Sequence, residues 1–165
     1  MTNKTEFYRD LSAQAQALIA DETDPIANMA NISALLFDAL SEVNWVGFYR
    51  AIDGELVLGP FQGKIACIRI PLGVGVCGTA AQTITTQRID DVHQFEGHIA
   101  CDAASNSEIV IPVQVKGDTI AVLDIDSTRF ERFDQDDQIG LESIVQIFEK
   151  NLTASLQDYE KSQLT

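Results

Sequence analysis

Three cysteines, two histidines and a group of closely spaced carboxylates are the residues of this chain whose types could do chemistry. Cys67, Cys77 and Cys101 form no Cys-x-x-Cys pair, so neither a zinc ribbon nor a thioredoxin-type site is supported. Cys101 sits in the polar stretch His98-Ile99-Ala100-Cys101-Asp102, where an accessible thiol can act as a nucleophile. Cys67, within Ile65-Ala66-Cys67-Ile68, reads as a thiol packed in a core. The spacing of His93, His98 and Cys101 matches no common metal site.

The carboxylates are more telling. Residues two apart on a strand point the same way, so Asp124 and Asp126 share one face and Leu123 and Ile125 the other. In the preceding apolar run, Glu108 is out of phase with Ile109, Ile111 and Val113. If Val115 lies opposite Thr119, then Ile109 faces Ile125, Ile111 faces Leu123, and Glu108 lands opposite Asp126. A slip of one residue would set Ile109 against Asp126 and mix the two faces, so the hydrophobic pattern selects the first register. Like charges opposite one another destabilise a sheet, and such a cluster makes sense where a cation or a shared proton sits.

The elements that must hold these groups follow from periodicity. Residues 5–20, with Phe7, Leu11 and Leu18 on one stripe, and 25–40, with Met29, Ser33, Leu36 and Leu40, read as helices. Asp24 before Pro25 is an N-cap and first-turn pair. Strands are expected over 45–52, 56–58 after the turn Asp53-Gly54, and 65–70. Glycines 73, 75 and 78 mark a tight turn opening a short helix around Cys77. Strands over 108–115 and 119–126 are joined by Lys116-Gly117-Asp118, and a helix over 134–159 places Ile139, Ile144, Ile147 and Phe148 on its apolar side. Residues 83–107 read as a long irregular loop carrying Cys101, and loops of that length in compact domains usually serve function. The expected class is α/β of the α+β type: one domain over 1–165, a central antiparallel sheet with N- and C-terminal helices packed against it.

A net charge of −14, from 25 acidic and 11 basic residues, opposes binding to nucleic acid or to an anionic membrane. The first residues lack the basic start and apolar core of a signal peptide, which points to a cytoplasmic protein. Thiols are kept reduced there, and an odd cysteine count argues against a disulfide scaffold.

Several runs together carry a resemblance. Asn44-Trp45-Val46-Gly47-Phe48-Tyr49, Leu58-Gly59-Pro60-Phe61-Gln62-Gly63-Lys64, Gly75-Val76-Cys77-Gly78-Thr79-Ala80, His98-Ile99-Ala100-Cys101-Asp102, Ser105-Asn106-Ser107-Glu108-Ile109-Val110 and Leu123-Asp124-Ile125-Asp126-Ser127 closely resemble the free methionine-(R)-sulfoxide reductases. The resemblance implies a GAF-like fold. It implies that Cys101 attacks the sulfoxide, that Cys67 resolves it into a disulfide, and that Cys77 has a secondary role. By the same resemblance Glu108, Asp124 and Asp126 bind substrate and Trp45 lines the pocket. Crowding of these carboxyls should hold one protonated near neutral pH, on Asp124 or Asp126, as the acid for the sulfoxide oxygen. No bound cofactor or metal is expected, and thioredoxin, fed by NADPH through its reductase, is the external reductant. The apolar N-terminal helices offer a surface for a homodimer, which the resemblance favours. Rival readings are a GAF-type ligand sensor without turnover and a redox-sensing protein whose cysteines reduce no substrate.

Overall fold

The structure, a computed structural model, describes residues 3–99 and 101–162; Ala100 of the Cys101 motif lies outside the described residues. Helices α1 (Lys4–Ile19) and α2 (Pro25–Ala39) lead into strands β1 (Trp45–Ile52), β2 (Glu55–Gly63) and β3 (Arg69–Pro71). Helix α3 (Gly75–Thr83), strand β4 (Gln87–Ile89), a 3-10 turn (Val92–Gln94), strands β5 (Ser107–Val115) and β6 (Asp118–Ser127) and the long α4 (Gln135–Ser162) follow. The strands form one antiparallel sheet in the order β3-β2-β1-β6-β5-β4. The expected class is therefore borne out.

The sheet separates two apolar layers. Helices α1, α2 and α4 cover one face, where Val46, Phe48, Ile109, Ile111, Leu123 and Ile125 meet Leu11, Leu36, Ile144 and Phe148. The other face carries Trp45, Tyr49, Val110 and Val122 against Val76, Cys77 and Ala80 of α3. Alternation along β1, β5 and β6 thus sends odd and even residues into different environments. Asp24 caps α2 by accepting from the backbone N–H of Ile26 (2.8 Å) and Ala27 (2.9 Å), with Pro25 in the first turn, as expected.

Both hairpins turn on two residues in the left-handed region, Asp53 (φ 50°) with Gly54 (84°), and Lys116 (54°) with Gly117 (88°). Such turns match the right-handed twist of the strands they join. The second is one residue shorter than expected: Val115 pairs with Asp118, not Thr119. An irregularity between Thr119 and Ala121 restores the count, so Ile109 faces Ile125 and Glu108 faces Asp126, as the hydrophobic pattern requires.

Other expectations are corrected. On α1, Leu11 is buried as expected but with Tyr8, Ala15 and Ile19, while Leu18 is exposed; on α4, Ile144 and Phe148 are buried as expected, joined by Leu141 and Val145, while Ile139 is exposed. Helix α1 packs on α4 and α2, and α4 on the sheet, so each buries part of the expected stripe together with positions beside it. Strand β2 continues through Gly59-Pro60 to Gly63, because a bulge opposite Phe48 accommodates the proline and Gly59 has no side chain to meet the Phe48 carbonyl. Residues 64–68 are loop, not strand, and the 83–107 stretch holds the end of α3, the edge strand β4 and the 3-10 turn.

Candidate active site

The centre of the sheet builds the floor of a pocket. Pairing sets Trp45 beside Asp126 and Gly47 beside Asp124 across β1 and β6, and Glu108 beside Asp126 and Val110 beside Asp124 across β5 and β6. Directly opposite residues point to the same side, so Trp45, Glu108, Asp124 and Asp126 share the face turned to α3. Gly47 is required: a Cβ there would meet the Trp45 ring at 2.6 Å. That ring stacks on Phe61 (5.2 Å) and Tyr49 (5.8 Å), and its Nε1 donates to the Lys64 carbonyl (3.1 Å).

The walls come from α3 and two loops. Val74, Gly75, Val76 and Cys77 line one side, and His98, Ile99, Cys101, Asp102 and Ser105 the other. Gly75, at φ +67°, takes a conformation natural to glycine, and a Cβ there would press on Ile99 at 3.3 Å. Asn44 donates to Asp102 and to Ser105, each at 3.1 Å, and Tyr49 donates to the Cys67 carbonyl at 3.1 Å. Both loops are thereby tied to β1 or the residue before it.

Cys67 and Cys101 are joined by a disulfide whose Cα atoms are 5.5 Å apart. Cys67 is half-buried in the 64–68 loop, between Ile65 and Ile68, which are 90% and 70% exposed. The reading of Cys67 as an inert core thiol is thus corrected: its apolar neighbours mimic a buried strand but face outward. Cys77 is a free, buried thiol.

The floor is electrostatically unbalanced. Glu108 and Asp124 are 5% and 6% exposed, and no lysine or arginine is among the residues lining the pocket. Burial, then the charges of Asp124 and Asp126, pushes the Glu108 carboxyl well above the usual carboxylate range. Burial, then Asp124 and Asp102, does the same to Asp126. Asp124 is raised by burial only to about 6, because hydrogen bonds with Glu108 and Cys77 favour its charged form. The Cys77 thiol is pushed up by burial and then by the three carboxylates. His98 stands 3.9 Å from Glu108, but burial, then His93, lowers its pKa and leaves it neutral near pH 7. Asp124 Oδ1 is buried without a hydrogen-bond partner, which marks a place for a donor from outside the protein.

Comparison with known proteins agrees with this geometry. The GAF domain pattern matches residues 27–151. A free methionine-R-sulfoxide reductase of Escherichia coli is 59% identical over 96% of this chain and 95% of its own. A protein of that name from Saccharomyces cerevisiae is 40% identical over 90% of this chain and 87% of its own. The chain belongs to the free methionine-R-sulfoxide reductase family of GAF domains. A member from Neisseria meningitidis, solved in complex with its substrate, superposes with a TM-score of 0.91 at 44% identity, covering 96% of this chain and 95% of that one.

Every site residue expected for this family, Cys67, Cys77, Cys101, Glu108, Asp124, Asp126 and Trp45, is brought to one place, with Cys67 at the mouth beside the pocket-lining Cys101. The histidine and cysteine group is not: His93 Nε2 lies 2.9 Å from Asn106 Oδ1, and Cys101 is in the disulfide. The sulfur of Cys77 and oxygens of Glu108 and Asp124 lie within 4.8 Å of one another, a donor set suited to a cation. Tyr49 also lines the pocket, and the signal for it in the sequence is its spacing of two and four from Gly47 and Trp45, which puts it on the same face.

Proposed function

We propose that the protein reduces free L-methionine (R)-sulfoxide to methionine with Cys101 as nucleophile and Cys67 as resolving thiol. The observation that carries this reading is a disulfide at the mouth of a pocket floored by three carboxylates, two of them buried. The Cys101 thiolate attacks the sulfoxide sulfur, the oxygen takes up a proton, and methionine leaves as Cys101 becomes a sulfenic acid. The Cys67 thiol then condenses with it, releasing water and forming the disulfide. Thioredoxin restores both thiols by exchange, and no bound cofactor takes part.

The carboxylates divide the work. Asp124, the first of the three to ionise, holds the substrate ammonium, with its unpartnered oxygen as acceptor. Glu108 and Asp126 retain protons and supply the acid for the sulfoxide oxygen. Val74, the N-cap of α3, provides no side-chain cap, and the helix start accepts the substrate carboxylate. Trp45 packs on the side chain. Cys77, protonated and buried, has a secondary role. A pocket that grips ammonium and carboxylate excludes methionine sulfoxide inside a polypeptide, where neither group is free. The protein acts in the cytoplasm, and its apolar N-terminal helices form a homodimer interface.

The test is NADPH oxidation through thioredoxin reductase and thioredoxin, dependent on free methionine (R)-sulfoxide. N-acetylation of the substrate is expected to cost more than about a hundredfold in kcat/KM. A product burst from Cys101→Ser, or preference for the (S) epimer, would overturn the reading.

A further inference from the structure

Residues 64–89 contain Lys64, Arg69 and Arg88 and not one acidic residue, on a chain whose net charge is −14. The same stretch exposes Ile65 (90%), Ile68 (70%), Val74 (41%) and Leu72 (38%). Single exposed apolar residues need no explanation, but these fall within a short segment that contains Cys67, which is bonded to Cys101. The Ile68 carbonyl accepts from the Leu58 N–H of β2 (2.9 Å) and regular pairing follows from Arg69, which is held by Glu55, yet the Ile65 and Ile68 side chains stay exposed.

We propose that this acid-free apolar stretch is the docking surface for the dithiol protein that reopens the disulfide, and that the incoming thiolate attacks Cys67 rather than Cys101. The inference rests on the reductase reading above. Its partner is a Cys-x-x-Cys protein of the thioredoxin class with net negative charge and apolar surface around its reactive thiol. A chain of this charge repels such a partner over most of its surface, and residues 64–74 beside the disulfide, with the exposed Lys64 and no acidic residue among them, are where that repulsion is weakest.

The choice of sulfur follows from the same field. Cys101 precedes Asp102 and shares the pocket with the ionised Asp124, so an approaching thiolate meets negative charge and buried walls. Cys67 is flanked by Ala66 and Ile68, with Lys64 and Arg69 nearby in sequence. Attack at Cys67 Sγ forms a mixed disulfide and breaks the bond to Cys101, which leaves as a thiolate and takes up a proton. The donor's second thiolate then attacks the donor sulfur of the mixed disulfide, releasing Cys67. The protein disulfide gains two electrons, the donor loses two, and Cys101 is the first thiol freed for the next substrate.

Two variants test the surface, Ile68→Asp and Leu72→Asp, since neither residue lines the pocket. Each is assayed with thioredoxin and with dithiothreitol as reductant. The KM for thioredoxin is expected to rise at least about tenfold for Ile68→Asp and less for Leu72→Asp, as for a lost interface anchor. Dithiothreitol-supported kcat/KM for methionine sulfoxide should stay within about twofold of wild type. Unchanged thioredoxin KM in both variants overturns the docking surface. Equal loss with both reductants places the face in substrate binding, and conversion of a dimer to a monomer assigns it to a second copy; either overturns the proposal. Wild-type protein inactive with both reductants strikes instead at the reductase reading. For the attacked sulfur, the oxidised protein is mixed with a thioredoxin whose second active-site cysteine is serine, and the trapped adduct is mapped by mass spectrometry. An adduct on Cys67 is expected; one on Cys101 refutes that half.

Discussion

Among its described residues the protein buries acidic side chains in two places and treats them in opposite ways. Asp137, at the start of α4, is 1% exposed and fully engaged: it accepts from the Tyr8 hydroxyl (2.7 Å), Lys4 (2.8 Å), Arg132 (3.3 Å) and the Asp134 backbone N–H (3.0 Å). It fastens α1 to α4 on the far side of the sheet from the pocket. Glu108 and Asp124 are buried to a similar degree and Asp126 partly so, yet the three face one another, a neutral histidine and a thiol, with one oxygen unpartnered. The first arrangement spends its charge inside the fold; the second keeps it for a ligand. Burial alone therefore does not identify a functional carboxylate, whereas the lack of a partner does.

The largest expected effect that sharpens this contrast is on stability. Asp137→Asn leaves Arg132 and Lys4 facing a neutral group and should lower unfolding free energy by about 3 kcal/mol in urea titration, with activity of the folded protein within about twofold of wild type. An inactive Asp137→Asn protein of wild-type stability would break the comparison. Next in size, Glu108→Gln, Asp124→Asn and Asp126→Asn should each lower kcat/KM at least about tenfold, or about 1.4 kcal/mol. At least one should leave the substrate-free protein as stable as wild type or more so, because a repelling charge is gone. Activity falling only in step with stability in all three would make the cluster structural.

The pH dependence of substrate-free stability separates the two sites again. Asp124 rises from an ordinary 3.8 to about 6 on folding, so the folded state holds the extra proton between those values. Stability is then complete below about pH 4 and is lost as pH rises through about 6, with Glu108 and Asp126 extending the loss upward. Thermal midpoints should be higher at about pH 5 than at about pH 8, and Asp124→Asn should flatten the difference. Asp134, lowered to about 2 chiefly by its hydrogen bond with Lys4, acts in the opposite sense: its contribution is present above about 4 and lost as pH falls towards 2. The smallest effect is that of Lys4→Met, whose half-exposed ammonium should cost less than about 1 kcal/mol.

The carboxylate cluster was legible in sequence because a two-residue period on β5 and β6 leaves only one register that keeps Ile109, Ile111, Leu123 and Ile125 together. The capped start of α2 and the Asp53-Gly54 turn were legible for similarly local reasons. The disulfide partner of Cys101 came from family resemblance, since no local signal in Ile65-Ala66-Cys67-Ile68 separates an exposed loop from a core strand. Edge strand β4 and the far half of β2 were hidden because three-residue pairing and a proline bulge are stabilised by neighbours distant in sequence. The full stripe of α1 is set by its packing on α4 and α2, and that of α4 by its packing on β5 and α1.

The irregularity in β6 between Thr119 and Ala121 carries a consequence for how the protein tolerates changes in length. It lies between the hairpin turn and the carboxylates, so it acts as a parity buffer: a residue gained or lost at Lys116-Gly117 is taken up before the pairing of Val113 with Ala121. Beyond that point nothing intervenes up to Asp126, and removal of one residue there would exchange odd for even positions, turning Asp124 and Asp126 into the helix-packed layer and Leu123 and Ile125 into the pocket. Homologous chains can thus vary in the length of this turn, while the six residues from Ala121 to Asp126 must keep their number.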